Sequence, residues 1–136
     1  MLEKLDGKWI ALGVLIMVVL NIAAAYIIGL ALAPALKNAT SLEDLSLSNG
    51  QILLALLINT VSFLIGGYIV GVKSVGRTIL EPGISAVAAV LIVLLVSREF
   101  SVVHLLVGGL VPFAAGVVGG WLGERRQEAA AQTRNN

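Results

Sequence analysis

The run Gly66-Gly67-Tyr68-Ile69-Val70-Gly71-Val72-Lys73-Ser74-Val75-Gly76-Arg77-Thr78-Ile79-Leu80-Glu81-Pro82-Gly83 closes one apolar segment, passes two basic residues and opens a second apolar segment at a proline. A long hydrophobic stretch that stops at a lysine or arginine is what a helix leaving a bilayer on its cytoplasmic side shows. Two apolar segments precede the run and two include or follow its end. It therefore reads as the inner hinge between two helical hairpins, a single membrane domain over residues 1–136.

Composition excludes the ordinary soluble class. Hydrophobic residues make up 58% of the 136 residues and charged residues only 12%, more apolar surface than a soluble core can bury. The apolar residues fall in four blocks, 9–32, 52–72, 82–96 and 102–122. Most approach the ~20 residues that cross the hydrocarbon core. Lipid leaves the backbone to satisfy itself, and the blocks lack strict alternation, so helices rather than a barrel are expected. The fold class expected is all-α: a polytopic membrane protein of four transmembrane helices arranged as two antiparallel hairpins. The chain has no cysteine and one histidine, so thiolate metal sites are excluded and no cofactor or metal is expected.

Ala31-Leu32-Ala33 has the small-x-small form of a signal-peptide cleavage site, but the apolar run is longer than an h-region and Pro34 follows directly. The segment is expected to stay as helix 1. In the connection that follows, Ser41 and Asp44 have capping-box spacing, which suggests a short surface helix, and Ser48-Asn49-Gly50 reads as a turn. Asn38-Ala39-Thr40 matches a glycosylation sequon by chance composition. Pro82 is expected at the first position of helix 3, beside Glu81. The link at 97–101 is short enough to make helices 3 and 4 antiparallel neighbours. The polar stretch 124–136 is expected to fray.

Lysine and arginine counts set the orientation. Lys4, Lys8, Lys73, Arg77, Arg125, Arg126 and Arg134 fall on one side and Lys37 and Arg98 on the other, which places both termini and the hinge in the cytoplasm. Trp9, Tyr68 and Trp121 fall at the inner border and Tyr26 and Phe100 toward the outer one, as aromatic belts do. The basic residues are scattered along a membrane border, so nucleic acid is not an expected partner.

Ridges of mostly small residues run at every fourth position: Gly13, Met17, Asn21, Ala25, Gly29 and Ala33; Asn59, Phe63, Gly67 and Gly71; His104, Gly108, Pro112, Gly116 and Gly120. Gly109, Ala115, Gly119 and Gly123 flank the last row. Such rows let helix backbones approach closely where lipid supplies no hydrophobic gain. They serve either the bundle itself or a partner, and the helix 4 row is expected to meet a second copy or another membrane protein. Pro112 removes the donor for the Gly108 carbonyl and is expected to bend the helix. Gly66-Gly67-Tyr68-Ile69-Val70-Gly71 and Gly119-Gly120-Trp121-Leu122-Gly123 also align with one deletion. This is either a parallel repeat or the common dress of helices meeting the cytoplasm.

That double glycine, aromatic, closing glycine and basic turn, in a four-helix chain of this length, resembles small glycine-rich bacterial inner-membrane proteins. The resemblance implies the architecture and brings no catalytic or binding residue with it.

The intramembrane polar residues are Asn21, Asn59, Thr60 and Ser62. At ~1.5 Å per residue Asn21 and Ser62 lie at one depth, and a hydrogen bond between helices 1 and 2 is expected there. Glu81 is expected as an interfacial anchor paired with Arg77 or Lys73, and His104 as an interfacial histidine near Glu99. No acid, base, nucleophile and metal ligand gather at one depth, so an enzyme is not expected. A transporter is expected to place a charge at mid-membrane; four-helix multidrug exporters need an acid in helix 1, where this chain has Asn21. The expected role is a structural or accessory subunit acting through helix packing. A small transporter or channel built as a homo-oligomer is the alternative.

Overall fold

The computed structural model describes residues 5–38, 47–74, 79–97 and 102–135, and within them the chain is all-helical with no strand. Its elements are α1 (Gly7–Asn38), α2 (Asn49–Lys73), α3 (Leu80–Ser97) and α4 (Val102–Asn135). Each apolar block has become one helix, because a backbone flanked by Leu, Ile, Val and Ala side chains can satisfy its hydrogen bonds only within itself once water is excluded. Within α1 and α2, Gly7–Ala35 and Asn49–Lys73 are long and apolar enough to cross a bilayer; Leu80–Val96 is apolar and shorter.

The ends differ from the sequence reading in ways that local chemistry explains. Asp6 caps α1 by accepting the Lys8 and Trp9 backbone N–H groups, so the helix starts at Gly7 rather than Trp9. Proline 34 lies in the last turn of α1 and does not end it; the helix runs on to Asn38. The residues read as a turn at Ser48 instead form a capping box, in which Ser48 Oγ accepts the Gln51 N–H and Gln51 Oε1 accepts the Ser48 N–H. That reciprocal pair lets α2 begin at Asn49. Leu80 and Glu81 precede Pro82 in α3, yet Pro82 still costs no hydrogen bond because it remains in the first turn. The stretch expected to fray is helical: α4 continues to Asn135 through Ala129, Ala130, Ala131 and Gln132, which are strong helix formers. The expected short helix near Ser41 lies outside the described residues.

Packing order places α2 and α3 between α1 and α4; α1 and α4 do not touch among the described residues. The α1–α2 and α3–α4 pairs are antiparallel, as expected of two hairpins. The most intimate interface, however, joins α2 to α4, which run in the same direction, with Gly67 beside Gly116 and Gly71 beside Gly120. A core of Met17, Phe63, Ala86, Ala89 and Ala115 fills the middle.

Closeness is graded along the bundle. At the end bearing Glu81, a β-carbon on Gly66 would lie 2.7 Å from Met17 Cγ, one on Gly83 2.8 Å from Phe113, and one on Gly123 2.7 Å from the Tyr68 carbonyl. Toward the other end, among the described residues, a β-carbon on Gly29 or Gly109 would meet nothing within 4 Å and one on Gly108 would meet only Val90, at 3.7 Å. Apolar side chains there stand open, with Tyr26 71%, Leu30 60% and Val96 80% exposed.

Candidate functional site

Polar side chains gather at the tight end. Glu81, in the first turn of α3, is fully buried. Its Oε1 accepts the Asp6 backbone N–H at 2.7 Å, and its Oε2 accepts the Ser74 hydroxyl, itself buried at the C-cap of α2. One carboxyl group thus ties the start of α1 and the end of α2 to the start of α3, beside the first-turn N–H groups that favour a negative group. One turn on, the buried Ser85 hydroxyl is shared between the Glu81 carbonyl at 2.9 Å and the Ile10 carbonyl at 3.1 Å.

The fourth helix joins through Gln127. Its Nε2 shares two N–H groups among the carbonyls of Gly71, Val72 and Ser74 at 2.9, 2.6 and 3.0 Å, taking up groups that the end of α2 leaves without intrahelical donors. Beside it Arg126 donates to the Tyr68 hydroxyl at 2.6 Å, and the Arg125 guanidinium lies 4.0 Å from the Trp121 ring centroid. No buried side-chain polar atom among the described residues lacks a partner.

Above this end runs the glycine interface. Gly67, Gly71, Gly116, Gly119, Gly120 and Gly123 are all buried. A β-carbon on Gly116 would sit 2.8 Å from the Pro82 carbonyl oxygen, and one on Gly67 would run into the backbone of Gly116. The row on α4 expected to face a partner is therefore filled by α2 and α3 of the same chain. The cause is simple: glycines on both helices permit close backbone contact inside the chain.

Midway along, Asn21, Asn59, Phe63, Val90, Gly108 and Pro112 line a cavity of about 130 Å³. Asn59, Gly108 and Pro112 also border a smaller one of about 90 Å³. Asn21 and Asn59 border one cavity, but the hydrogen bond expected between Asn21 and the Asn59 to Ser62 segment does not form. Asn21 Nδ2 donates to the Met17 carbonyl of its own helix at 3.2 Å, Ser62 Oγ to Ile58 at 3.0 Å and Thr60 Oγ1 to Leu56 at 2.8 Å. Short polar side chains in a helix reach the carbonyl four residues back more easily than they reach a neighbouring helix.

Of the charged residues expected at the border, Lys73 is exposed at the end of α2, while Arg77 and the side chain of His104 lie outside the described residues. Glu81 is fully buried, and its expected pairing with Arg77 lies outside the described residues. Asp6, Ser74 and Gln127 were not singled out by sequence. For Gln127 there was a signal, since it continues the Gly119 and Gly123 spacing by one more turn; Asp6 and Glu81, 75 residues apart, offered none. Comparison with protein families, curated proteins and solved structures gives no match.

Proposed function

We propose that the chain is a polytopic protein of the bacterial cytoplasmic membrane, with four spanning helices and both termini cytoplasmic, that acts as a structural or accessory subunit. The observation that carries this reading is the splayed end, where α1 and α2 present Tyr26, Ile27, Leu30, Ile52, Leu53 and Leu57 open on several sides. The opposite end is locked by buried polar bonds and glycine contacts, so the protein has one rigid half and one half with apolar surface for another membrane protein or a second copy. Gly29, with nothing inside 4 Å, leaves room for a partner helix to approach.

The test is a mild-detergent pulldown followed by native gel electrophoresis and mass spectrometry, comparing the wild type with Gly29→Leu. Gly29→Leu is expected to lose the association and keep its membrane insertion, since leucine raises hydrophobicity. A wild type that runs as a lone monomer in every mild detergent would contradict the subunit reading.

A transporter or channel reading draws on the cavity that Asn21 and Asn59 share, which also borders the carbonyl that Pro112 deprives of its donor. Polar groups grouped at mid-membrane are what a solute path would use.

A further inference from the structure

The geometry points to a binding site for the head group of an anionic phospholipid, in the corner between the C-terminal end of α2 and the projecting part of α4. The inference rests on the membrane reading above.

Beyond Gly123, α4 outruns α2, so the face that packs against Tyr68 and Val72 continues with nothing of α2 to cover it. Val72, Arg126, Gln127, Ala130, Ala131 and Arg134 line a groove there of about 520 Å³, within the range of small-ligand sites. At 3.6 residues per turn its α4 residues fall within about 140° of one another. Glu124 and Glu128 point roughly 160° and 200° round the helix from Arg126, outside the arc of the groove, and neither lines it. The groove is basic on a helix whose charges are otherwise mixed.

Arg126 is held and not neutralised. Its one bond goes to the uncharged Tyr68 hydroxyl, which fixes the side chain and leaves most of its five N–H groups open. Arg125, on Trp121, is also held by an aromatic ring. Tyrosine and tryptophan at a helix end belong at head-group depth, so these contacts set Arg126 at the level of the lipid phosphates. A planar guanidinium fork matches a phosphate oxygen pair better than an ammonium does. Arg134, two turns farther out, borders the part of the groove that a polar head-group alcohol would enter.

Native mass spectrometry of the full-length protein in mild detergent tests this, with phosphatidylglycerol, phosphatidylcholine and inorganic phosphate as probes. The wild type is expected to retain phosphatidylglycerol where phosphatidylcholine is lost, and inorganic phosphate is expected not to displace it. Arg126→Gln should weaken retention about fivefold, the value of one basic residue at an anionic surface. Tyr68→Phe should weaken it less, and Arg134→Gln, at an exposed position, should weaken retention with the fold kept. Lys8→Gln, exposed on α1 and out of contact with α4, should leave retention unchanged. Equal retention of both lipids, equal loss from Lys8→Gln and Arg126→Gln, or displacement by inorganic phosphate would each overturn the proposal. Carbonate extraction of the same variants separates the two levels: protein that stays in the membrane pellet without selective lipid retention sinks the site alone, and protein released by carbonate sinks the membrane reading.

Discussion

Gly67 of α2 and Gly116 of α4 meet backbone to backbone, so closely that a β-carbon on Gly67 would overlap the peptide that follows Gly116. Four residues on, Gly71 and Gly120 repeat the contact, and Gly119 and Gly123 wedge into the same groove of α2. Two helices that are distant in sequence and run in the same direction thereby become the closest pair in the bundle. The hairpins expected from loop lengths exist, but the contact that joins them is tighter than either.

Alanine at these glycines should therefore be harmful although alanine favours helices. Gly67→Ala or Gly116→Ala is expected to lose about 1–3 kcal/mol, the usual cost of overpacking. Gly29→Ala, with open space around it, should gain up to about 1 kcal/mol from helix propensity. Equilibrium unfolding in mixed micelles measures all three, and equal effects at Gly29 and Gly67 would refute the graded packing.

Removing the Glu81 side chain leaves the Asp6 N–H and the Ser74 hydroxyl without the acceptor they share. Glu81→Ala should cost about 1–3 kcal/mol for the two hydrogen bonds lost, and Glu81→Gln should cost less because one oxygen remains. Thermal unfolding in detergent reads the order of the two variants. A Glu81→Ala protein as stable as the wild type would mean that the junction contributes nothing.

Gln127→Ala should loosen the end of α2 without disturbing its middle. Three carbonyls lose the two N–H groups they share, and the expected cost is about 1–2 kcal/mol. Hydrogen exchange should quicken at the amides near Val72 and Ser74 and stay unchanged near Phe63. Uniform change along α2 would contradict a local cap.

Asn21→Leu distinguishes an intrahelical bond from an interhelical one. Because Asn21 bonds to Met17 and borders a cavity, leucine should be neutral or stabilising within about 0.6 kcal/mol, the average worth of an interhelical polar contact. A loss well beyond that would restore the cross-helix bond expected from sequence.

What could be read beforehand was whatever depends on local composition. Apolar runs announced four helices, and four-residue spacing marked Gly67, Gly71, Gly116 and Gly120 as packing residues. What faces what was not legible, because the same small row fits an internal neighbour or an external one equally well. Glu81 stood beside a proline and a basic hinge, so it read as a border charge; its burial depends on Asp6 arriving from the other end of the chain. The polar composition after Gly123 suggested fraying, yet three alanines and the Gln127 cap hold that stretch helical.

Orientation is the claim on which the subunit and lipid readings both rest, and the absence of cysteine allows a direct measurement. Lys37→Cys and Gln132→Cys each place a single thiol at an exposed position at opposite ends of the bundle. A membrane-impermeant maleimide applied to spheroplasts should label Lys37→Cys at once and Gln132→Cys only after lysis. Labelling of Gln132→Cys in intact spheroplasts, or of both variants from one side, would contradict a four-span protein with its basic end in the cytoplasm.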